Sequence, residues 1–222
     1  MVRAEPVPGG WVLSGAVAWC TGWGLADVVL LGGTAPDGRV VLALVPMAAG
    51  QGIEASAPVA LAAMAGTATV ALRLYGLAVT DEQVLSITDG DEWAVADART
   101  NANVQPSTFG VARAALDALR GTDGATGAVL GSRLDEVRAR AYRLADEQAP
   151  DEAVEEKLAT RAEALLLGVE ITSAYVASVG GQAMDLAHPA QRWAREALFH
   201  LVQAQTRPVR HATLARLRAG CA

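Results

Sequence analysis

The stretch Gly180–Thr206, "GGQAMDLAHPAQRWAREALFHLVQAQT", joins the end of one helix to the whole of the next. The glycine pair Gly180–Gly181 is expected to end the apolar helix before it, because glycine adopts the conformations that close a helix. Pro189 suits the first position of the following helix, where its missing N–H costs no hydrogen bond. Thr206 is placed to cap a last helix. The stretch therefore predicts successive helices joined by short turns.

Helical periodicity extends through residues 90–222. Apolar residues such as Leu158, Ala162 and Leu165 recur three or four positions apart, which is typical of a helix with one buried face. The glycine-rich segment 121–132 lacks the Lys-Ser/Thr ending of a phosphate loop, and we interpret it as a flexible connection before a helix capped by Ser132. Four to five helices with short connections predict an antiparallel bundle.

Residues 1–89 show a different pattern, with short β-branched runs separated by turn residues. The runs "DVVLLGG" and "RVVLALVPM" flank Pro36-Asp37-Gly38, in which proline presets φ and glycine permits a positive φ. This pattern predicts a small antiparallel β domain. The fold class is therefore α+β, with a β domain over residues 1–89 and a helical bundle over residues 90–222.

Composition excludes several classes of partner. The 222 residues are 52% hydrophobic and carry a formal net charge of −6, so we expect no nucleic acid partner and no anionic membrane surface. The apolar runs quoted above are too short to span a bilayer, and the N-terminal stretch has no apolar signal core. Cys20 and Cys221 form no disulfide framework, so we expect two reduced thiols in a cytoplasmic protein.

Few residues carry recognisable chemistry by themselves. The three histidines are scattered, and no carboxylate or cysteine lies at metal-ligand spacing from them, so we expect no metal site. Glu170 lies within the apolar segment "LLLGVEITSAYV". It is either a buried base with a raised pKa or the partner of an arginine across the bundle. Periodicity alone predicts a fold and no activity.

Three stretches, taken in order, resemble the acyl-CoA dehydrogenase family. The first contains Trp19-Cys20-Thr21-Gly22, similar to that family's Trp-Ile-Thr-Asn motif in the middle β domain. The second, "LYGLAVTDEQVLS", is similar to the family's exit from that domain. The third is the stretch from Gly180 to Thr206, in register with the family's Gly-Gly pair, proline, Arg-Asp-Ala and Glu-Gly-Thr turn. The resemblance covers nearly the whole chain and implies a truncated form without the family's N-terminal helical domain.

The resemblance also implies a cofactor and partners. It implies a homo-oligomer that binds FAD between the β domain and the bundle, with an acyl-CoA thioester against the flavin. Trp19 and Thr21 would meet the isoalloxazine ring, and Thr206 would touch the dinucleotide near a helix start, where free N–H groups favour phosphate. Gly180 and Gly181 would let backbone approach the FAD of a neighbouring subunit, since neither carries a Cβ. The alternative for this glycine pair is a plain helix C-cap.

The chain differs from the family at the position of the catalytic base. Ala204 occupies the place of the glutamate in the Glu-Gly-Thr turn, and a loose alignment puts Thr100 where some relatives carry their base. Because a base must remove the α-proton of the acyl group, we assign no catalytic residue. The resemblance then implies a flavoprotein oxidoreductase for CH–CH groups without ordinary dehydrogenase activity alone. The alternatives are a non-catalytic subunit that pairs with a full-length relative in a hetero-oligomer, and a coenzyme A-thioester binder without redox chemistry.

Overall fold

The chain folds into two compact units. The computed structural model describes residues 2–220 and divides them between Val95 and Ala96. The last strand ends at Thr88, close to the end of the strand pattern in the sequence, and the first turns of the following helix belong to the N-terminal unit. Cys221, one of the two predicted thiols, lies outside the described residues.

The N-terminal unit is built on a sheet of seven strands within the described residues, in the order β5-β6-β2-β1-β3-β4-β7. β1 and β3 pair in parallel, whereas all other neighbours are antiparallel, as the β domain was predicted to be. The strands are β1 Val2–Val7, β2 Gly10–Cys20, β3 Val28–Thr34, β4 Val40–Pro46, β5 Ile53–Ala55, β6 Val70–Thr80 and β7 Val84–Thr88.

Turn chemistry positions these strands. Gly38 has φ +87° and donates its N–H to the Ala35 carbonyl at 3.0 Å, which confirms the turn predicted between β3 and β4. Gly10, at the start of β2, is required by close packing, because a Cβ there would lie 2.0 Å from the carbonyl oxygen of Val79 on β6. The pairing of β2 with β6 therefore depends on a glycine at this position.

The described residues contain six α-helices, rather than the four or five predicted. Residues 90–121 form two helices, because α1 ends at Thr100 and Pro106 is the first residue of α2. Pro189 begins α5, as predicted, and Gly220 caps α6. The helices are α1 Gly90–Thr100, α2 Pro106–Thr122, α3 Gly124–Glu147, α4 Val154–Val179, α5 Pro189–His200 and α6 Arg207–Ala219.

The prediction of a flexible segment over residues 121–132 is wrong. α2 continues to Thr122 and α3 begins at Gly124, with Asp123 between them as the cap. The Asp123 carboxylate accepts the backbone N–H of Thr126 at 3.1 Å, which lowers the pKa of this carboxyl group. Ser132 is not a cap, since it lies inside α3 and its hydroxyl donates to the Ala128 carbonyl at 3.3 Å.

The glycines of this segment serve helix packing instead. A Cβ on Gly127 would lie 2.7 Å from Arg120 Cγ and 3.1 Å from Arg120 Cα, on the neighbouring helix α2. A Cβ on Gly131 would meet the outer guanidinium of the same arginine at 2.6 Å. Both glycines therefore face α2, and their missing side chains let the two helices approach closely.

Helix α4 is the centre of the C-terminal unit and contacts α2, α3, α5 and α6. In the part of the chain that the structure describes, Val154–Met184 is long and apolar enough to cross a membrane by length and composition. Its buried side chains pack against the four surrounding helices, as expected for the core helix of a bundle.

Two cationic side chains are buried on α4, one helical turn apart. Lys157 and Arg161 are each 1% exposed, and neither pairs with a carboxylate among the described residues. Lys157 Nζ donates to the Ala149 carbonyl at 2.6 Å, just beyond the end of α3. This ammonium therefore lies where the backbone carbonyls at a helix C-terminus carry partial negative charge.

Arg161 binds two further helix ends. Its guanidinium donates to carbonyls in the turn after α1 and in the turn after α5, and its Nε has no hydrogen-bond partner among the described residues. The acceptors are the carbonyl of Asn101, that of Asn103 at 3.3 Å, that of Gln203 at 2.8 Å and that of Ala204 at 3.3 Å. Burial lowers the pKa of this guanidinium, and the carbonyls replace the water that it has lost.

Replacing Gly127 with alanine should destabilise the protein. The added Cβ would overlap Arg120 near its backbone, and overpacking of this kind costs about 1–3 kcal/mol, partly offset by the better helix propensity of alanine. Gly110→Ala is the matched control, because Gly110 lies inside α2 with open space around it and should gain up to about 1 kcal/mol. Urea unfolding measures both, and equal stabilisation by the two substitutions would contradict close packing at Gly127.

Replacing Arg161 with methionine should lower the free energy of unfolding by about 2–4 kcal/mol, because part-buried hydrogen bonds from a charged donor to backbone carbonyls are lost. Arg113→Met is the control, since Arg113 forms an exposed ion pair with Asp135 that should contribute less than about 1 kcal/mol. If Arg161→Met is as stable as the parent protein, the desolvation cost of the guanidinium offsets the free energy of its hydrogen bonds. Arg161 then makes no net contribution to stability.

Candidate functional site

Trp19 and Thr21 lie at the end of β2 and face outward. The Trp19 side chain is 63% exposed, Cys20 is buried in the core and Thr21 is exposed again. Burial raises the pKa of the Cys20 thiol. Thr21 follows Cys20, the last residue of β2, and lies in the turn after this strand. An exposed indole and a hydroxyl two residues away can together bind a planar ring that has polar edges.

The segment Met64–Thr69 fixes the turn that carries Thr21. The backbone N–H of Gly22 donates to the Thr67 carbonyl at 2.8 Å, and the Thr21 hydroxyl lies 3.1 Å from that of Thr69. Met64 and Ala68 have φ +61° and +47°, conformations that residues with a Cβ rarely adopt and that cost about 1–3 kcal/mol each. The surrounding hydrogen bonds therefore hold this segment in a single geometry.

The glycine pair Gly180–Gly181 follows α4, as predicted. Gly180 has φ +75° and donates its N–H to the Val176 carbonyl, so it is a helix C-cap. This left-handed conformation alone explains why a glycine occupies position 180. A Cβ on Gly181 would meet no atom within 4 Å. The packing of this chain therefore explains the first glycine of the pair and not the second.

Thr206 caps α6, and the positions after it are cationic. Its hydroxyl accepts the backbone N–H of Val209 at 3.4 Å. Arg207 and Arg210 are exposed, they border an open groove with His211, and no described carboxylate pairs with either of them. Cations are unfavourable at the positive end of a helix. A bound anion would relieve this repulsion and would find both free N–H groups and guanidinium groups there.

The α5–α6 turn holds Ala204 in the left-handed region, with φ +46°. The side chain is a methyl group and cannot accept a proton. The preceding residue, Gln203, binds the buried His200 ring through its side chain at 2.7 Å. The position that the resemblance assigns to a base therefore has a defined backbone and no basic group.

Glu170 is paired and does not act as a buried base. It is exposed, and its two oxygens accept hydrogen bonds from Arg133 on α3 at 2.6 and 2.9 Å. These hydrogen bonds confirm the interpretation of Glu170 as the partner of an arginine across the bundle. They also raise the pKa of Arg133. Within residues 2–220, no group of three or more His, Cys, Asp or Glu side chains is placed to hold a metal ion.

The predicted site residues fall into separate groups. Trp19 and Thr21 belong to the N-terminal unit, whereas Gly180, Gly181 and Thr206 belong to the C-terminal unit. Within the latter, the turn before Thr206 is bound by Arg161, and Gly180 lies beyond the far end of the same helix. At about 1.5 Å per residue, the interval from Arg161 to Gly180 is roughly 28 Å. One C-terminal unit therefore does not bring the glycine pair and Thr206 together.

Sequence reasoning missed the residues that support these groups. Arg161 and Lys157 stand four positions apart in an apolar helix, and this spacing was the available signal that two cations share a face. Thr67 and Thr69 precede β6 and carry no pattern that separates them from an ordinary strand start. Their importance follows only from their contact with Thr21, distant in sequence.

Comparison with known proteins identifies the fold. No protein-family model and no curated protein matches the chain. Among solved structures, a glutaryl-CoA dehydrogenase in complex with glutaryl-CoA matches with a TM-score of 0.79 and 18% identity, over 99% of this chain and 61% of its own. Butyryl-CoA dehydrogenase from Megasphaera elsdenii matches with a TM-score of 0.77 and 15% identity, over 98% of this chain and 63% of its own.

A third match has a different chemistry. Dibenzothiophene monooxygenase from Paenibacillus sp. A11-2 aligns with a TM-score of 0.75 and 21% identity, over 95% of this chain and 65% of its own. The chain thus spans less than two thirds of the length of the structures that it matches. Over nearly all of its residues, it has the fold that acyl-CoA dehydrogenases share.

Proposed function

We propose that the chain is a flavin-binding protein of the acyl-CoA dehydrogenase type that lacks the catalytic base. The observation that carries this proposal is Ala204, which is in register with the Glu-Gly-Thr turn and has a methyl group in place of a carboxylate. Dehydrogenation of an acyl thioester requires a base within about 3 Å of the α-proton. The chain alone therefore has no ordinary route to oxidise a CH–CH bond.

Each unit, taken by itself, has residues that suit a part of FAD. The exposed indole of Trp19 and the Thr21 hydroxyl suit the isoalloxazine ring. The Thr206 cap, with Arg207 and Arg210 beside it, suits the pyrophosphate, because guanidinium groups and helix N–H groups both bind phosphate oxygens. When bound, FAD would supply an acceptor for a hydride, which carries two electrons.

The glycine pair supports an oligomer. Gly181 has open space around it. It follows Gly180, which lies roughly 28 Å along α4 from Arg161, the residue that binds the turn before Thr206. We infer that the close approach that Gly181 permits is made by a molecule held by a second chain. A homo-oligomer or a hetero-oligomer with a related chain meets this requirement.

A non-catalytic partner subunit is the second candidate. Leu198 lies in the last turn of α5 and Val202 in the turn that follows it, and they are 53% and 62% exposed. Neighbouring exposed apolar side chains are typical of contact surfaces. Such a subunit would contribute its bundle to a related chain that has the base, and the missing base at Ala204 would then have no effect on the assembly.

FAD should bind to the purified chain, and charge reversal at Arg207 and Arg210 should weaken binding at least tenfold, which corresponds to about 1.4 kcal/mol. The measurement is fluorescence titration of FAD with the parent protein and with the double variant Arg207→Glu, Arg210→Glu. The matched control reverses the exposed Arg99 and Arg143, which changes the net charge equally. Equal losses in both double variants would contradict a phosphate site at α6.

Replacing Ala204 with glutamate should create dehydrogenase activity in the FAD-loaded protein. A positioned base contributes typically about 10²–10⁴ in rate, and alanine already tolerates the backbone conformation at this position. Ala204→Gln is the control of equal shape without a base. The assay follows enoyl product from a series of straight-chain acyl-CoA thioesters.

The two candidates predict different results in this assay. A gain with glutamate alone supports the flavoprotein without a base. No gain, although FAD and acyl-CoA both bind, contradicts the assignment of position 204. A chain that binds no FAD and copurifies with a dehydrogenase favours the partner subunit.

A further inference from the structure

The sheet of the N-terminal unit ends in two edge strands, β5 and β7, and they differ in how they are protected. An edge strand turns the N–H and C=O groups of alternate residues away from the sheet, where another chain can pair with them. β5 has three residues, and the middle one is the exposed Glu54. A short strand with a charge inside it is a poor template for pairing, so β5 is protected by its own sequence.

β7 has no charge of its own. Its five residues, Val84–Thr88, are "VLSIT" and contain neither a charged side chain nor a proline. Leu85 and Ile87 are 58% and 42% exposed, and Leu85 has no partner residue in β4 because the register shifts there. Apart from the pairing with β4, the described part of the chain makes no backbone–backbone hydrogen bond to residues 85–88. β7 therefore presents an open edge with exposed apolar side chains.

Acidic residues flank this edge on both sides. Two precede β7 and three follow it, and all are exposed: Asp81, Glu82, Asp89, Asp91 and Glu92. None of these flanking acids forms an ion pair within the described residues. Arg39 precedes the β4 residue that pairs with Thr88, but it is bound to Asp37. The two ends of the edge thus carry negative charge that no described cation neutralises.

A second copy of this chain fits this edge poorly. Because β7 has acids at both ends, pairing two copies of β7 places acid beside acid in the antiparallel and in the parallel orientation alike. Like charges opposite each other on paired strands are destabilising, by roughly 0.2–1 kcal/mol for each pair. The net charge of −6 adds a general repulsion between copies. The edge therefore favours a segment whose flanks are cationic.

We propose that the outer edge of β7 is a docking site for an extended segment of another protein. This segment has a short, uncharged core of β-forming residues, with lysine or arginine on each side. Backbone hydrogen bonds to β7 supply the affinity, and ion pairs with the flanking acids set the register and select the partner. The interaction involves no flavin and no residue of the flavin site, so it is tested separately from the proposed function.

The test uses the purified full chain and three labelled peptides in fluorescence anisotropy titrations. The first peptide has the core Val-Thr-Val-Thr-Val with two lysines at each end. The second has proline in place of the central valine, which keeps the charge but removes a backbone donor. The third has glutamates in place of the lysines. The first peptide should bind at least about tenfold more tightly than either of the others, which corresponds to about 1.4 kcal/mol.

Two substitutions of equal charge locate the site on the protein. Leu85→Asp puts a carboxylate inside the edge strand, whereas Leu30→Asp puts one at a 51% exposed position on β3, between β1 and β4. If simple charge attraction drives binding, both variants bind the lysine-flanked peptide more tightly. Strand addition instead predicts a loss of at least about tenfold for Leu85→Asp alone, because a charge inside an edge strand opposes pairing. Urea unfolding verifies that both variants fold.

Hydrogen exchange gives the direct measurement. Saturation with the lysine-flanked peptide should slow exchange at the amides of β7 and not at those of β5, and this result supports the proposal. Equal binding of the lysine-flanked and proline peptides, unchanged binding by Leu85→Asp, or no binding of any peptide overturns it. If the parent chain instead self-associates and Leu85→Asp abolishes this, the edge takes a second copy, and the proposed partner is wrong.

Discussion

The C-terminal unit depends on the buried guanidinium of Arg161, which binds backbone carbonyls at the ends of two helices. A cation removed from water is costly unless polar groups replace its hydration, and backbone carbonyls do so here. Carbonyls near helix ends are not used within the helix and carry partial negative charge. The ends of α1 and α5 must therefore lie against α4, and Lys157 imposes the same condition on the end of α3. Each of these three helices thus ends where a buried cation binds the carbonyls that the helix leaves free.

Buried polar groups also bind two of the positions that the resemblance assigns to the site. Carbonyls of the α5–α6 turn are bound by Arg161, and the Thr21 hydroxyl is bound by Thr69. At Ala204 the methyl group is separate from the carbonyls that Arg161 binds, whereas at Thr21 the hydroxyl itself makes the contact with Thr69. The side chain at position 204 can therefore change its chemistry without disturbing these contacts, because they involve only the backbone.

Local chemistry explains which parts of the fold were predictable. The turn at Gly38, the helix end at Gly180 and the helix start at Pro189 depend on the conformations of single residues, so the sequence indicates them directly. Gly127 was misinterpreted because a glycine in a loop and a glycine at a close helix contact look alike until its neighbour, Arg120, is known. Burial of Arg161 was unpredictable for a related reason, since its acceptors come from distant segments.

The sequence predicted the candidate site only at positions where its motifs align with those of the family. Matching motifs gave positions for Trp19, Thr21 and Thr206, but no pattern in the sequence indicated the contact between Thr21 and Thr69. Ala204 shows why position and function must be argued separately. Its left-handed backbone ends the turn after α5 and directs carbonyls to Arg161, a role that any side chain tolerating this conformation can fill. The Ala204 side chain takes no part in these contacts, so in the proposed function a methyl group in place of a carboxylate removes a proton acceptor and leaves the architecture intact.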